Sequence, residues 1–106
     1  MKTNVFENIP ESSPDELFTE LLKTDGVRIE RIVSFGQSSP EDFWYEQRAG
    51  EWVLLLEGSA TLGFEDGASV DLVPGDTLNI PPGQRHRVKR TDPERRTVWL
   101  AVFYGS

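Results

Sequence analysis

The chain is expected to fold as an all-β protein, a sandwich or barrel of about eight short strands. Three observations predict it. Apolar and polar residues alternate from Val27 onward. Turn signals rich in Gly, Pro and Asp recur at short intervals. The length, 106 residues, suits one domain with one modest core.

Taken in order, residues 1–12 read as an arm with a candidate strand around Asn4–Phe6. A short N-terminal helix is expected next. Ser13 would be its N-cap, Pro14 would take the first helical position, and Glu16 would complete a capping box. Leu17, Leu21 and Leu22 then share one helical face with Phe18 beside them, and Asp25-Gly26 stops the helix. Residues 1–26 are thus read as arm and helix, and 27–106 as the barrel, within one structural domain.

In the first strand of the barrel, Val27, Ile29, Val33 and Phe35 alternate with Arg28, Glu30, Ile32 and Ser34. Further strands are expected near 43–47, 51–57, 59–65, 69–73, 77–80, 85–91 and 97–104. The turns between them are Arg48-Ala49-Gly50, Asp66-Gly67, Pro74-Gly75-Asp76, Pro81-Pro82-Gly83 and Asp92-Pro93. Asp66-Gly67 is a hairpin signal because glycine accepts positive φ. The strands at 51–57 and 97–104 are apolar on both faces, which a barrel wall bathed in water would not be. Their outer face is therefore expected to be covered, and a homodimer interface is the expected cover.

Composition narrows the function. The chain has no cysteine, hence no disulfide, thiolate metal site or cysteine nucleophile. MKTNVFENIPESS lacks the basic start and apolar run of a signal peptide. The longest apolar run, Val98–Tyr104, is too short to span a bilayer. A soluble, cytoplasmic protein with no membrane partner is expected. A net charge of −7 speaks against nucleic-acid binding. Six basic residues (Arg85, Arg87, Lys89, Arg90, Arg95, Arg96) nevertheless cluster near the C-terminus. Such a cluster is a candidate field for drawing an anionic small molecule to a nearby pocket.

His86 is unique, so any imidazole chemistry must use it. Strand alternation groups it with Val88 and Arg90, and Val88 suggests that this face points inward. A carboxylate beside a buried imidazole can make it a general acid or base. Glu51, Tyr45 and His86 are the candidate catalytic residues on this reading. The plainer reading is that the same groups satisfy one another in a polar core.

Two motifs carry a family resemblance. Gly75-Asp-Thr-Leu-Asn-Ile-Pro81-Pro-Gly83-Gln-Arg-His86 has the Gly, Pro, Gly and His positions of the second cupin motif, with Arg90 where an Asn usually follows. Glu51-Trp-Val-Leu-Leu-Leu-Glu-Gly58 matches the end of the first motif. The chain resembles the small single-domain cupins, which implies a double-stranded β-helix, or jelly-roll barrel. It also implies a metal site with Glu51 and His86 as ligands. The His-x-His that precedes the glutamate in metal-binding cupins is absent. One register puts Tyr45 and Gln47 there, and the other puts Trp44 and Glu46. The implied ligands are Gln47, Glu51 and His86, for a divalent metal such as Zn, Mn, Fe or Ni. The implied function is a small-molecule pocket around Glu51 and His86, with metal-assisted isomerase, dioxygenase or lyase activity. The alternative is a non-catalytic ligand-binding or sensor module whose metal site has been lost.

Overall fold

The computed structural model describes residues 1–105. Eight strands follow one another: β1 (Leu17–Thr24), β2 (Val27–Ser34), β3 (Gly50–Glu57), β4 (Ala60–Phe64), β5 (Ser69–Leu72), β6 (Thr77–Ile80), β7 (His86–Thr91) and β8 (Thr97–Tyr104). All named pairings are antiparallel, in two sheets with orders β1-β2-β8-β3-β6 and β5-β4-β7. Among the described residues, no helix is long and apolar enough to cross a membrane.

The expected N-terminal helix is not formed. Leu17–Thr24 is instead a strand on β2, with Leu17 opposite Val33 and Thr24 opposite Val27. Asp25-Gly26 is a two-residue hairpin turn rather than a helix stop, with Gly26 at φ 79°. The helical spacing of Leu17, Leu21 and Leu22 has a local cause. The register shifts between Glu20 and Leu22, leaving Leu21 as the extra residue of a bulge. One inserted residue breaks the period of two and imitates a period near four. Ser13 does accept a hydrogen bond from the Asp15 amide at 3.2 Å, but the turn it makes leads into a strand.

Residues 43–47 make only one bridge, Tyr45 with His86. The chain just before it is pinned along β7: the Ser39 amide donates to Val88 O at 2.8 Å, and Thr91 Oγ1 donates to Gln37 O at 2.6 Å. Residues 4–6 lie in a turn rather than a strand, with the Phe6 amide on Asn4 Oδ1.

The core lies between the sheets and includes Val53, Leu55, Leu62, Leu72, Ile80, Trp99 and Ala101. β3 and β8 turn Glu51, Val53, Leu55 and Trp99, Ala101, Phe103 inward. Their outer residues Trp52, Leu54, Leu56, Leu100 and Val102 are half-buried. β2 places its phases contrary to their hydrophobicity. Ile32 pairs with inward Trp99, and Glu30 with inward Ala101, so Arg28, Glu30 and Ile32 face the interior. Val33 and Val98 lie opposite one another on the other face and are fully buried. The N-terminal arm is tied to the same face of β2: Arg31, 7% exposed, donates from Nη1 to Val5 O at 3.0 Å and to Glu7 O at 2.7 Å.

The turn after β3 requires glycine. Gly58 has φ 87°, and a Cβ there would stand 2.7 Å from the Arg96 carbonyl oxygen. This is the glycine that closes the first sequence motif.

Candidate functional site

His86 opens β7, directly after the Pro81-Pro82-Gly83 turn. That turn is tied to the 43–47 segment by the Gly83 amide on Gln47 O, at 2.8 Å. The Tyr45 amide donates to His86 O at 2.7 Å, and the His86 amide donates back to Tyr45 O at 3.1 Å. The two rings consequently stack, 5.5 Å apart and 24° from parallel. Phe43 supports Tyr45 edge-on at 4.7 Å. Glu51 comes from the other sheet, on the inward phase of β3, and its Oε1 lies 3.5 Å from His86 Nε2. Glu51 is 8% exposed and His86 5% exposed.

These groups line a cavity of about 90 Å³. Tyr45 and Gln47 are in its wall, with Glu51, His86 and Val88. Trp44 and Glu46 are not; Trp44 packs outside against Arg85, 5.7 Å from its ring. The remaining wall is largely apolar, from Phe18, Ile32, Val53, Leu62, Ile80, Trp99 and Phe103.

Two further carboxylates reach the cavity that sequence reading assigned elsewhere, Glu16 and Glu30. The Trp99 indole donates to Ser34 Oγ at 3.1 Å, and Ser34 donates on to Glu16 Oε2 at 2.5 Å. Glu30 lies 2.9 Å from Arg28 Nε, and Arg28 sits over the Phe103 ring at 4.3 Å. The alternation Glu16, Phe18, Glu20 would have revealed Glu16 as inward, had this segment been read as a strand.

The electrostatics follow from these contacts. Burial works against a charged His86, but the Glu51 carboxylate and the Gln84 carbonyl outweigh it, so the imidazole pKa is raised above 6.5. Nδ1 lies 3.0 Å from Gln84 O, which assigns the Nδ1 proton to that carbonyl and leaves Nε2 toward Glu51. Tyr45 is also raised, first by burial and then by Glu16 and Glu51. It is therefore a phenol, an unsuitable metal ligand at neutral pH but a ready hydrogen-bond donor.

Among the described residues, no Lys or Arg lines this wall. All six residues of the basic cluster are engaged elsewhere. Arg85 pairs with Glu65, Arg87 bonds Ser39 O, Lys89 bonds Ser69, and Arg90 bonds Ser59. Arg95 approaches Asp92, and Arg96 grips Glu57. Arg90 leaves the inward phase of His86 and Val88 because the β4–β7 register shifts between Thr61 and Leu62.

The donor set fits a transition metal poorly. Gln47, Glu51 and His86 supply one amide, one carboxylate and one imidazole, and an amide oxygen is a weak substitute for imidazole. Among the described residues, no group of three or more His, Cys, Asp or Glu is placed to hold a metal ion.

Comparison with known proteins agrees with this architecture. Residues 32–103 match the family model described as the cupin domain. A protein from Ralstonia eutropha JMP134, provisionally named a mannose-6-phosphate isomerase, is 44% identical over 100% of this chain and 99% of its own, with TM-score 0.95. A cupin superfamily protein from Desulfitobacterium hafniense DCB-2 is 24% identical over 92% of this chain and 84% of its own, with TM-score 0.76. An RmlC-like cupin with a double-stranded β-helix from Methanocaldococcus jannaschii is 19% identical over 98% of this chain and 92% of its own, with TM-score 0.70. No curated protein matches the chain. With two-sheet antiparallel topology, both sequence motifs on their expected turns and the family model spanning β2 to β8, the chain belongs to the cupin family.

Proposed function

We propose that the chain is an acid–base cupin that moves a proton on a small, uncharged hydroxy-carbonyl compound without a metal. The observation that carries the reading is the buried Glu51–His86 contact, 3.5 Å long, at a cavity that Tyr45 and Gln47 also line. The Gln84 carbonyl holds Nδ1, so protons are exchanged at Nε2. Glu51 stabilises the imidazolium that forms when Nε2 takes a proton from carbon beside a carbonyl. The Tyr45 phenol donates to the carbonyl oxygen while negative charge gathers there. Tyr45 passes its proton to that oxygen. As Nε2 returns its proton to the former carbonyl carbon, Tyr45 takes the proton of the hydroxyl on the other carbon. The oxygen of that hydroxyl becomes the new carbonyl, and both residues regain their starting protonation.

Two features support an uncharged substrate. The wall holds Glu16, Glu51 and the Arg28-paired Glu30 and, among the described residues, no Lys or Arg, so an anion would meet repulsion. The cavity, about 90 Å³, suits a molecule of few heavy atoms. The Ralstonia eutropha protein is named for an isomerisation, which agrees with the reaction class. A phosphate ester would need cationic groups that this wall lacks.

The test is solvent-proton exchange. Small hydroxy-aldehydes and hydroxy-ketones incubated with the protein in D₂O are expected to gain deuterium beside the carbonyl, followed by NMR. His86→Gln and Glu51→Gln should each slow the gain at least tenfold, and a chelator should leave it unchanged. Binding without deuterium gain would favour the ligand-binding module instead. Loss of exchange on chelation, with stoichiometric metal lost in Glu51→Ala, would restore the Gln47–Glu51–His86 metal centre.

A further inference from the structure

β1 is an edge strand, and among the described residues no strand pairs with its outer side. It exposes three large apolar side chains, Phe18 at 60%, Leu21 at 43% and Leu22 at 51%. An eight-residue edge with such side chains is a template for another strand. The charges on β1 are arranged unfavourably within the chain. Glu20 lies directly opposite Glu30, and Lys23 directly opposite Arg28. Like charges in that relation repel.

The bulge gives these charges a second property. In a regular strand, residues 20 and 23 would point to opposite faces. The inserted Leu21 puts Glu20 and Lys23 on the same face, opposite Glu30 and Arg28, with Leu21 and Leu22 between them. We infer that β1 pairs antiparallel with β1 of a second copy of this chain, about a two-fold axis passing between Leu21 and Leu22. In that register Glu20 faces Lys23 of the second copy, and Lys23 faces its Glu20. Leu21 and Leu22 meet Leu22 and Leu21, and Thr19 meets Thr24. Each charge that faces its like on β2 gains an opposite charge on its free side. A two-fold arrangement repeats every contact, which self-complementary edges favour. The five-stranded sheet becomes one continuous sheet of two chains. Phe18, which lines the cavity and is exposed outward, gains a neighbour from the second copy.

Charge reversal tests the register without depending on loss of fold. Glu20→Lys places a cation opposite Glu30, and Lys23→Glu places an anion opposite Arg28, so each single variant relieves repulsion inside its own chain. Between chains, each replaces attraction with repulsion at two symmetric places. In sedimentation equilibrium, the parent protein is expected to run at twice the 12.0 kDa chain mass at micromolar concentration. Each single variant should dissociate at least tenfold more readily, with an unchanged circular dichroism spectrum. The double variant E20K/K23E should dimerise again, and an equimolar mixture of the two single variants should form a heterodimer. A parent monomer at 100 µM would overturn the inference. So would single variants that dimerise like the parent, or a mixture of them that stays monomeric.

Discussion

His86 meets two opposing influences, burial against its charge and Glu51 in favour of it, and the carboxylate prevails. The consequence for stability has a definite sign. An unfolded imidazole titrates near 6.5, and the folded one titrates higher. The pair's stabilising contribution is complete below the unfolded value and fades as pH rises through the folded one. Because the chain has one histidine, its Cε1 proton gives one NMR titration curve. The midpoint is expected above 6.5 in the parent and lower in Glu51→Gln, where burial acts with less opposition. A midpoint unchanged by Glu51→Gln would show that the carboxylate has no hold on the ring. His86 and Glu51 were legible from turn spacing and strand phase. Tyr45 and Gln47 were legible as one of two registers, and the β7 backbone bridge selects theirs. Glu16 was not legible, because the helix reading turned its alternation into a cap.

At the scale of the element, the strands from β3 to β8 were readable because each has its own turn signal and phase. β1 was not, because a bulge removes the period on which strand recognition depends, and Asp-Gly serves hairpins as well as helix ends. The phase of β2 was not legible for a different reason. Its apolar side faces the arm and sheet exterior, whereas Glu30 faces a cavity. Turn glycines make a graded prediction. Gly26 and Gly58 both have positive φ, but an added Cβ meets nothing within 4 Å at Gly26 and meets the Arg96 carbonyl at Gly58. Gly26→Ala should cost about 1–2 kcal/mol, the usual price of left-handed backbone. Gly58→Ala should cost clearly more, because backbone must move as well. Urea unfolding of the two variants decides this, and equal losses would mean the loop at Gly58 yields freely.

Over the whole molecule, stability rests on pairings distant in sequence. β8 lies between β2 and β3, so the central sheet closes only when the C-terminal strand arrives. Such topologies fold on the order of milliseconds to seconds, and a single slow phase in that range is expected by stopped-flow fluorescence of the three tryptophans. Leu55 is 0% exposed at the centre of the core. Leu55→Ala should cost about 3 kcal/mol, since the surrounding β-sheets cannot collapse fully into the space. A loss below about 1 kcal/mol in urea titration would indicate a core that repacks. The overall architecture was legible before any coordinates, since eight short strands with two motif-bearing turns leave few alternatives.

Arg31 holds the arm by the carbonyl oxygens of Val5 and Glu7, not by their side chains. Every residue type presents that carbonyl. The arm's sequence is therefore free to drift through evolution while its attachment to β2 is kept. Selection should fall on position 31 and on the arm's length instead. Related chains are expected to keep the arginine above an arm whose residues vary widely, with insertions there rarer than substitutions.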